Sequence, residues 1–417
     1  MNTVAKQNSE RFSALKYKDF RLLWFGQLVS SAGSQMQLVA VNWQIYILTG
    51  SALALGLIGL ARVIPIIIFS LIGGSIADVF NRKKVLLASQ VFLAIFSGLL
   101  AITTFTHTAS PLIIYLLTIV AAVAISFNTP AQQAFVPSLV KREHLANALS
   151  LNVILRQIST IAGPAVAGFL IAKFGVGSIY AFDAVSFLAV IGSLLAMRAS
   201  GEVEGKTEAS KVSFKAILEG LVFVKSHVMI WSTMILDFFS TFFSSASALL
   251  PIFAKDILHV GPQGLGLLYA SVSLGALVAG AVIANMKTLP KQGKLLLIAV
   301  GVYAVGTILF GFSRSFLLSL FALFIIGAGD SVSTVIRNTL RQILTPDHIR
   351  GRMTSVNMIF FMGGPQLGEF EAGLLASSAG APLSVVIGGA ATLLVVALVA
   401  VYIPKLRNYE GHEELIV

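Results

Sequence analysis

The chain has 417 residues, of which 56% are hydrophobic and only 11% charged, and its mean hydropathy is +0.89. A water-soluble domain carries about 25% charged residues to wet its surface, so this composition excludes one and points to a polytopic membrane protein. The net charge of +11 allows an anionic partner surface, and the absence of cysteine excludes disulfides, thiolate catalysis and cysteine-held metal.

The segment Met1–Arg21 is polar and basic, and the apolar run after it has no cleavage pattern. It is expected to be a cytoplasmic tail leading into a retained first helix. A spanning helix needs about 20 mostly apolar residues. Apolar runs predict six spans near 20–48, 51–77, 85–105, 111–137, 145–172 and 177–197. Six more are predicted near 227–253, 262–286, 293–312, 316–343, 353–378 and 382–404. The expected fold class is therefore an all-α membrane protein with twelve transmembrane helices.

Lysine and arginine alternate sharply between successive connections. One side holds 23 of the 29 basic residues, in clusters such as Lys16, Lys18 and Arg21, then Arg82, Lys83 and Lys84, and later Arg341, Arg350 and Arg352. The other side holds only Lys173, Lys255 and Arg314. By the positive-inside rule both termini are expected in the cytoplasm, as an even span count requires. The basic excess then orients the chain and meets anionic lipid, with no nucleic acid needed.

The longest polar stretch, 199–226, separates an N-terminal half (1–198) from a C-terminal half (227–417), six spans each. A faint repeat supports that division. Leu139–Asn152 aligns with Leu344–Asn357 at an offset of 205, and each precedes a Gly-Pro pair, Gly163-Pro164 and Gly364-Pro365. Two parallel halves are the arrangement in which a central site opens alternately to each side.

These residues resemble the major facilitator superfamily, and within it the enterobactin-exporter-like branch of effluxers, from about Lys16 to Pro404. The carriers are Phe20–Gln27, Gly73–Lys84, Asn128–Gln132, Val136-Pro137, Ala146–Ser150, Gly163-Pro164 and Ile349–Arg352. The family signature between spans 2 and 3 is matched by Gly74, Asp78, Arg82 and Lys83, whereas Val79 and Asn81 replace its usual Arg and Gly. The resemblance implies the major facilitator fold, alternating access, and a cytoplasmic gate at these four residues. The simpler reading is that they are interfacial caps and topology signals. Gly163, Pro164 and Gly168 resemble the helix-packing motif of antiporters, with Ala167 at one of its Gly positions; close packing alone also explains them. The arginine motif that many drug–proton antiporters carry in their fourth helix is absent.

Eight ionisable residues fall within predicted spans: Arg62, Arg156, Asp183, Asp237, Asp330, Arg337, Glu369 and Glu371. Each costs at least about 2.5–3.5 kcal/mol at a helix centre, so each needs a partner or a function. Asp330, Asp237 and Glu369 are the candidates for proton coupling. The opposing reading is a static ion pair with Arg62, Arg156 or Arg337. Asp183 is expected to be an interfacial or helix-packing group, and Glu371 to face away from Glu369.

Polar stripes recur at helical spacing. Gln27, Ser31, Ser34 and Gln35 mark span 1, Asn128 and Gln132 span 4, Ser240, Thr241 and Ser244 span 7, and Ser333 and Thr334 span 10. Spans 1, 4, 7 and 10 line the central cavity in the superfamily that this chain resembles, so these residues are expected to line it here. Phe238, Phe239, Phe242, Phe243, Phe360 and Phe361 either wall that cavity or face lipid and core.

No phosphate-binding Gly-rich loop, metal-ligand spacing or catalytic triad stands out, so the chain is expected to be no enzyme and to hold no cofactor or metal. The expected function is secondary active export of a small amphipathic molecule, siderophore- or drug-like, across the cytoplasmic (inner) membrane by proton antiport. The expected partners are that small-molecule substrate, protons and membrane lipid, with the protein a monomer. The alternatives are a lipid or nutrient carrier working as importer or flippase, and a non-transporting scaffold or receptor.

Overall fold

In hydrocarbon no water satisfies the backbone, so every apolar run must close its own hydrogen bonds as helix. The computed structural model describes residues 12–202, 221–286 and 289–411, and no strand occurs among them. Twelve long helices follow one another: α1 Lys18–Thr49, α2 Ala52–Val79, α3 Arg82–Phe105, α4 Pro111–Phe135, α5 Leu145–Phe174 and α6 Val176–Ala196. Then come α7 Val228–Phe243, α8 Gly261–Ala284, α9 Gln292–Phe312, α10 Phe316–Leu344, α11 Asp347–Ala379 and α12 Ala381–Tyr402.

Among the described residues ten helical stretches are long and apolar enough to cross a membrane; α1 and α11 are not among them. Both carry many polar side chains, such as Gln27, Gln37 and Gln44 in α1 and Gln366, Glu369 and Glu371 in α11. The expected linker falls largely on 203–220, outside the described residues, as do Lys6, Arg11, Lys206, Lys211, Lys215 and Lys287. The side chains of Asp78, Arg350 and Arg352 are likewise outside them.

Local chemistry sets the helix ends. Ser110 accepts a hydrogen bond from the Ile113 amide at 3.3 Å ahead of Pro111, and Asn81 accepts one from the Lys84 amide at 3.1 Å. Gly175 (φ +79) and Gly380 (φ +84) make the sharp turns from α5 to α6 and from α11 to α12, in a region other residues avoid.

One predicted span is interrupted. Instead of running unbroken over 227–253, α7 stops at Phe243, and short helical turns follow from Ala246. Pro251 cannot donate to the carbonyl of Ser247, and that carbonyl accepts instead from the Tyr269 hydroxyl at 3.0 Å. Ser245 turns its hydroxyl to the Pro365 carbonyl at 2.9 Å.

The chain separates into two compact units. The first comprises residues 1–44 and 64–211, the second 45–63 and 212–417. The divisions therefore fall inside α1 and inside α2, the latter beside Pro65. The first unit packs around Phe20, Leu86, Phe135, Leu155 and Val190. The second packs around Leu236, Leu296, Val300, Ile336 and Leu340.

Glycine seams bring helices close within each unit. In the first, a Cβ on Gly163 would lie 2.7 Å from Gln35 Cβ and 3.0 Å from the Ala32 carbonyl, so α5 rides directly on α1. Pro164 and Gly168 are buried on the same helix. In the second, a Cβ on Gly373 would lie 2.6 Å from the Ala52 carbonyl and one on Gly56 2.9 Å from the Glu369 carbonyl. Residues 52–59 thus lie along α11. Small residues are what allow such approach when lipid supplies no hydrophobic drive.

Gly163→Val is expected to lower stability in detergent by about 1–3 kcal/mol, because the added atoms meet backbone that cannot yield. Gly98→Ala, where nothing lies within 4 Å of the new Cβ, is expected to be neutral or stabilising. Thermal unfolding of the two variants checks this, and equal loss in both would refute the seam.

Candidate functional site: a charge cluster in the second unit

Asp237 on α7 and Arg337 on α10 form a buried ion pair, with Arg337 Nη1 2.5 Å from Asp237 Oδ1 and side chains 5% and 3% exposed. The other end of the same guanidinium reaches Asp330, with Nη2 3.9 Å from Oδ1. Nη2 also donates to Thr334 Oγ1 at 2.9 Å. Asp330, Thr334 and Arg337 succeed one another at i, i+4 and i+7, which places them on one face of α10. Asp330 is half-buried, so one guanidinium joins a fully buried carboxylate to a partly open one.

Close packing positions this cluster. A Cβ on Gly329 would lie 2.7 Å from the Ala299 carbonyl and 2.9 Å from the Tyr303 amide, so α10 meets α9 at the turn that carries Asp330. Tyr303 stands within electrostatic reach of Asp237 and Asp330 and donates its hydroxyl to the Ser244 carbonyl at 3.1 Å. Arg341, counted in the sequence with the cytoplasmic basic residues, is only 6% exposed. It donates from Nε to the Arg337 carbonyl at 3.3 Å and also bonds Asn338. The i+4 spacing from Arg337 was the signal for that position, and Tyr303 had none.

The remaining polar residues of the second unit divide. Ser240 and Thr241 return their hydroxyls to the Asp237 carbonyl at 3.0 and 2.8 Å, which satisfies them on their own helix. Ser244 is buried and shares a 2.7 Å hydrogen bond with Thr392. Ser333 is buried, its hydroxyl without a partner among the described residues. Arg62 and Glu369 interact electrostatically across α2 and α11, and both are half-buried, as is Glu371. Phe238 packs edge-on against Phe360 with ring centres 5.9 Å apart, while Phe239 and Phe361 are exposed.

In the first unit Arg156 is exposed, with no carboxylate within 4 Å among the described residues. On α1, Gln27 is buried, Ser31 and Gln35 are half-buried, and Ser34 is exposed. Asn128 accepts from Gln90 at 3.1 Å, and Gln132 is half-buried. Gly74 is half-buried on α2. Arg82 donates to the Ala134 carbonyl at 3.0 Å and Lys83 to the Met197 carbonyl at 2.8 Å, both at helix C-terminal ends where cations are favoured. Asp183, expected at the interface or in packing, is fully buried.

Helices long and apolar enough to cross a membrane, with a charge cluster within the second unit, mark a multi-pass membrane protein. The family model described as transmembrane secretion effector, of the major facilitator superfamily, matches residues 9–415, and the chain belongs to that family. Members are transporters, not enzymes. The chain is 26% identical over 393 residues to the enterobactin exporter EntS of Citrobacter koseri, covering 94% of this chain and 93% of that one. It is 25% identical over 398 residues to the multidrug efflux pump Tap of Mycolicibacterium fortuitum, covering 93% and 96%. Among solved structures, a POT family transporter superposes with a TM-score of 0.73 at 12% identity, covering 93% of this chain and 96% of that one. A bacterial homologue of the human lysosomal transporter Spinster does so at 0.72 and 14%, covering 94% and 96%. These likenesses show the fold.

Removing one member of the buried pair leaves an uncompensated charge. Asp237→Asn and Arg337→Gln are each expected to cost about 3–5 kcal/mol, and the double variant less than their sum. Denaturation of all three checks it, and strict additivity would dissolve the pair.

Proposed function

We propose that this protein is a proton-coupled exporter of a small amphipathic molecule, siderophore- or drug-like, in the cytoplasmic (inner) membrane. The observation that carries the reading is Arg337 held between Asp237 and Asp330. The short buried pair fixes the guanidinium, and the half-buried Asp330, held at the longer distance, is the member on which a change of charge is proposed. A proton on Asp330 withdraws one of the two claims on Arg337, so the cluster's preferred arrangement changes with its occupancy. Such a device drives transport only if proton and cargo favour different conformations. The names of the related exporter and efflux pump support outward direction and cargo class.

On this reading α1 and α11 cross the membrane with the ten apolar stretches, giving twelve spans in two halves of six, 1–198 and 227–417, joined through 199–226. Both termini lie in the cytoplasm, where the basic clusters meet anionic lipid. In alternating access, Ser31, Ser34, Gln35, Asn128 and Gln132 are the first half's candidates for cargo contact, and Thr334, with the exposed Phe239 and Phe361, the second half's. Arg82 and Lys83, with Gly74 and Asp78, serve the cytoplasmic gate. Glu369, within electrostatic reach of Arg62, is a second candidate for proton coupling, and the working unit is a monomer.

Proteoliposomes loaded with enterobactin and given an imposed pH gradient test this. Asp330→Asn is expected to abolish pH-driven flux while enterobactin still binds. Wild-type flux in that variant removes Asp330 from the mechanism, and absence of flux in the wild type with a range of drugs as well removes the exporter reading.

A further inference from the structure

Asp183 lies in the first unit, far along the chain from the α10 cluster and unused by the reading above. Its side chain is completely buried on α6, and among the described residues no charged group interacts with it. The groups that face it are Ser34 from α1, Ser97 from α3 and Ser186 of its own helix. Only one of its hydrogen bonds is short: Ser97 donates to Oδ2 at 2.7 Å. That hydroxyl is itself held by Gln37, which donates to it at 2.9 Å. Oδ1 has only Ser34 and Ser186, each at 3.5 Å, and Ser186 turns its proton to the Asp183 carbonyl at 2.7 Å.

An ionised carboxylate offers about four acceptor sites and, in a dry interior, needs a cation or several short donors. This one has neither. A neutral acid needs far less, and the underserved Oδ1 is where its proton belongs.

The same atom is one hydroxyl from the surface. Ser34 is exposed, although its Oγ touches Oδ1. Around α1, position 34 lies roughly 140–180° from the exposed apolar Phe25, Val29 and Ile47 at 3.6 residues per turn, whereas the exposed Leu48, about 40° from it, sits at the helix's C-terminal end. Ser34 therefore stands on the polar stripe with Ser31 and Gln35. Gly33 makes the approach feasible, since a Cβ there would lie 2.7 Å from Asp183 Oδ1.

We propose that Asp183 is a proton-binding site of the first unit, loaded and unloaded through the Ser34 hydroxyl from the polar face of α1. On release the Oδ1–H bond breaks and its proton passes to Ser34 Oγ, whose own hydroxyl proton passes to a water on that face. One hydronium leaves, and the carboxylate remains, held by Ser97. Loading reverses each transfer.

Infrared difference spectroscopy of the purified full-length protein tests this without any cargo, so its outcome is separate from that of the exporter reading. The wild type is expected to show the C=O stretch of a protonated carboxyl that Asp183→Asn removes and Asp330→Asn leaves in place. The band is expected to be lost and regained reversibly as pH is raised and lowered, and Ser34→Ala to slow its shift in heavy water by about tenfold. A band missing from the wild type, or lost in Asp330→Asn, overturns the site. A band that never titrates makes the proton structural and also overturns it. Should Asp183→Asn not fold, the exposed Ser34→Ala still decides, because unchanged exchange sinks the route.

Discussion

A charge inside hydrocarbon must find an opposite charge, find water or give up its ionisation, and the arrangement of this molecule follows from how each intramembrane charge meets that demand. In the second unit the answer is pairing: Arg337 takes Asp237 at 2.5 Å and leaves Asp330 at 3.9 Å. The helices have to come together in one register for this to happen. Gly329 provides it by letting α10 touch α9 backbone to backbone. In the first unit no charge answers Asp183, and three serines from three helices surround it instead. The two units thus meet the same electrostatic demand by different chemistry.

Close helix approach serves both solutions. Gly33 admits the Asp183 carboxyl against α1, and Gly163 seats α5 on that same helix. Within the second unit, Gly56 and Gly373 set residues 52–59 against α11, the helix that carries Glu369, while Arg62 follows on α2. Small residues here act on function indirectly: they decide which polar side chains share a neighbourhood. The divisions inside α1 and α2 show a further consequence, since a single helix contributes one end to each compact unit.

Much of the fold was legible because the bilayer imposes a coarse rule. Apolar runs of sufficient length must be helices, and the twelve long helices start and stop within a few residues of most predicted spans. The rule fails where polar side chains bargain locally. The predicted seventh span remains one membrane-crossing stretch, Val228–Ile257, but its α-helix breaks at Ser244 and Ser245, whose hydroxyls take partners on other helices, and Pro251 frees a carbonyl that Tyr269 claims. The polar stripes were legible as stripes, yet Ser240 and Thr241 proved satisfied on their own helix whereas Thr334 joins Arg337. Periodicity states which face a residue occupies and is silent on what stands opposite.

The sequence by itself determined that the chain lives in a membrane, that it is helical, and which few ionisable groups had to be explained. It also carried the family resemblance that the transmembrane secretion effector model bears out over residues 9–415. Hydropathy and charge are properties of single residues and short windows, so they survive without a structure. Only the tertiary structure decided that Arg337 pairs with Asp237, that Arg341 is buried, and that of the two readings of Asp183 it is the helix-packing one, against Ser34 and Ser97. Those pairings join residues up to 149 positions apart, and they depend on helix register and glycine seams that no local window encodes.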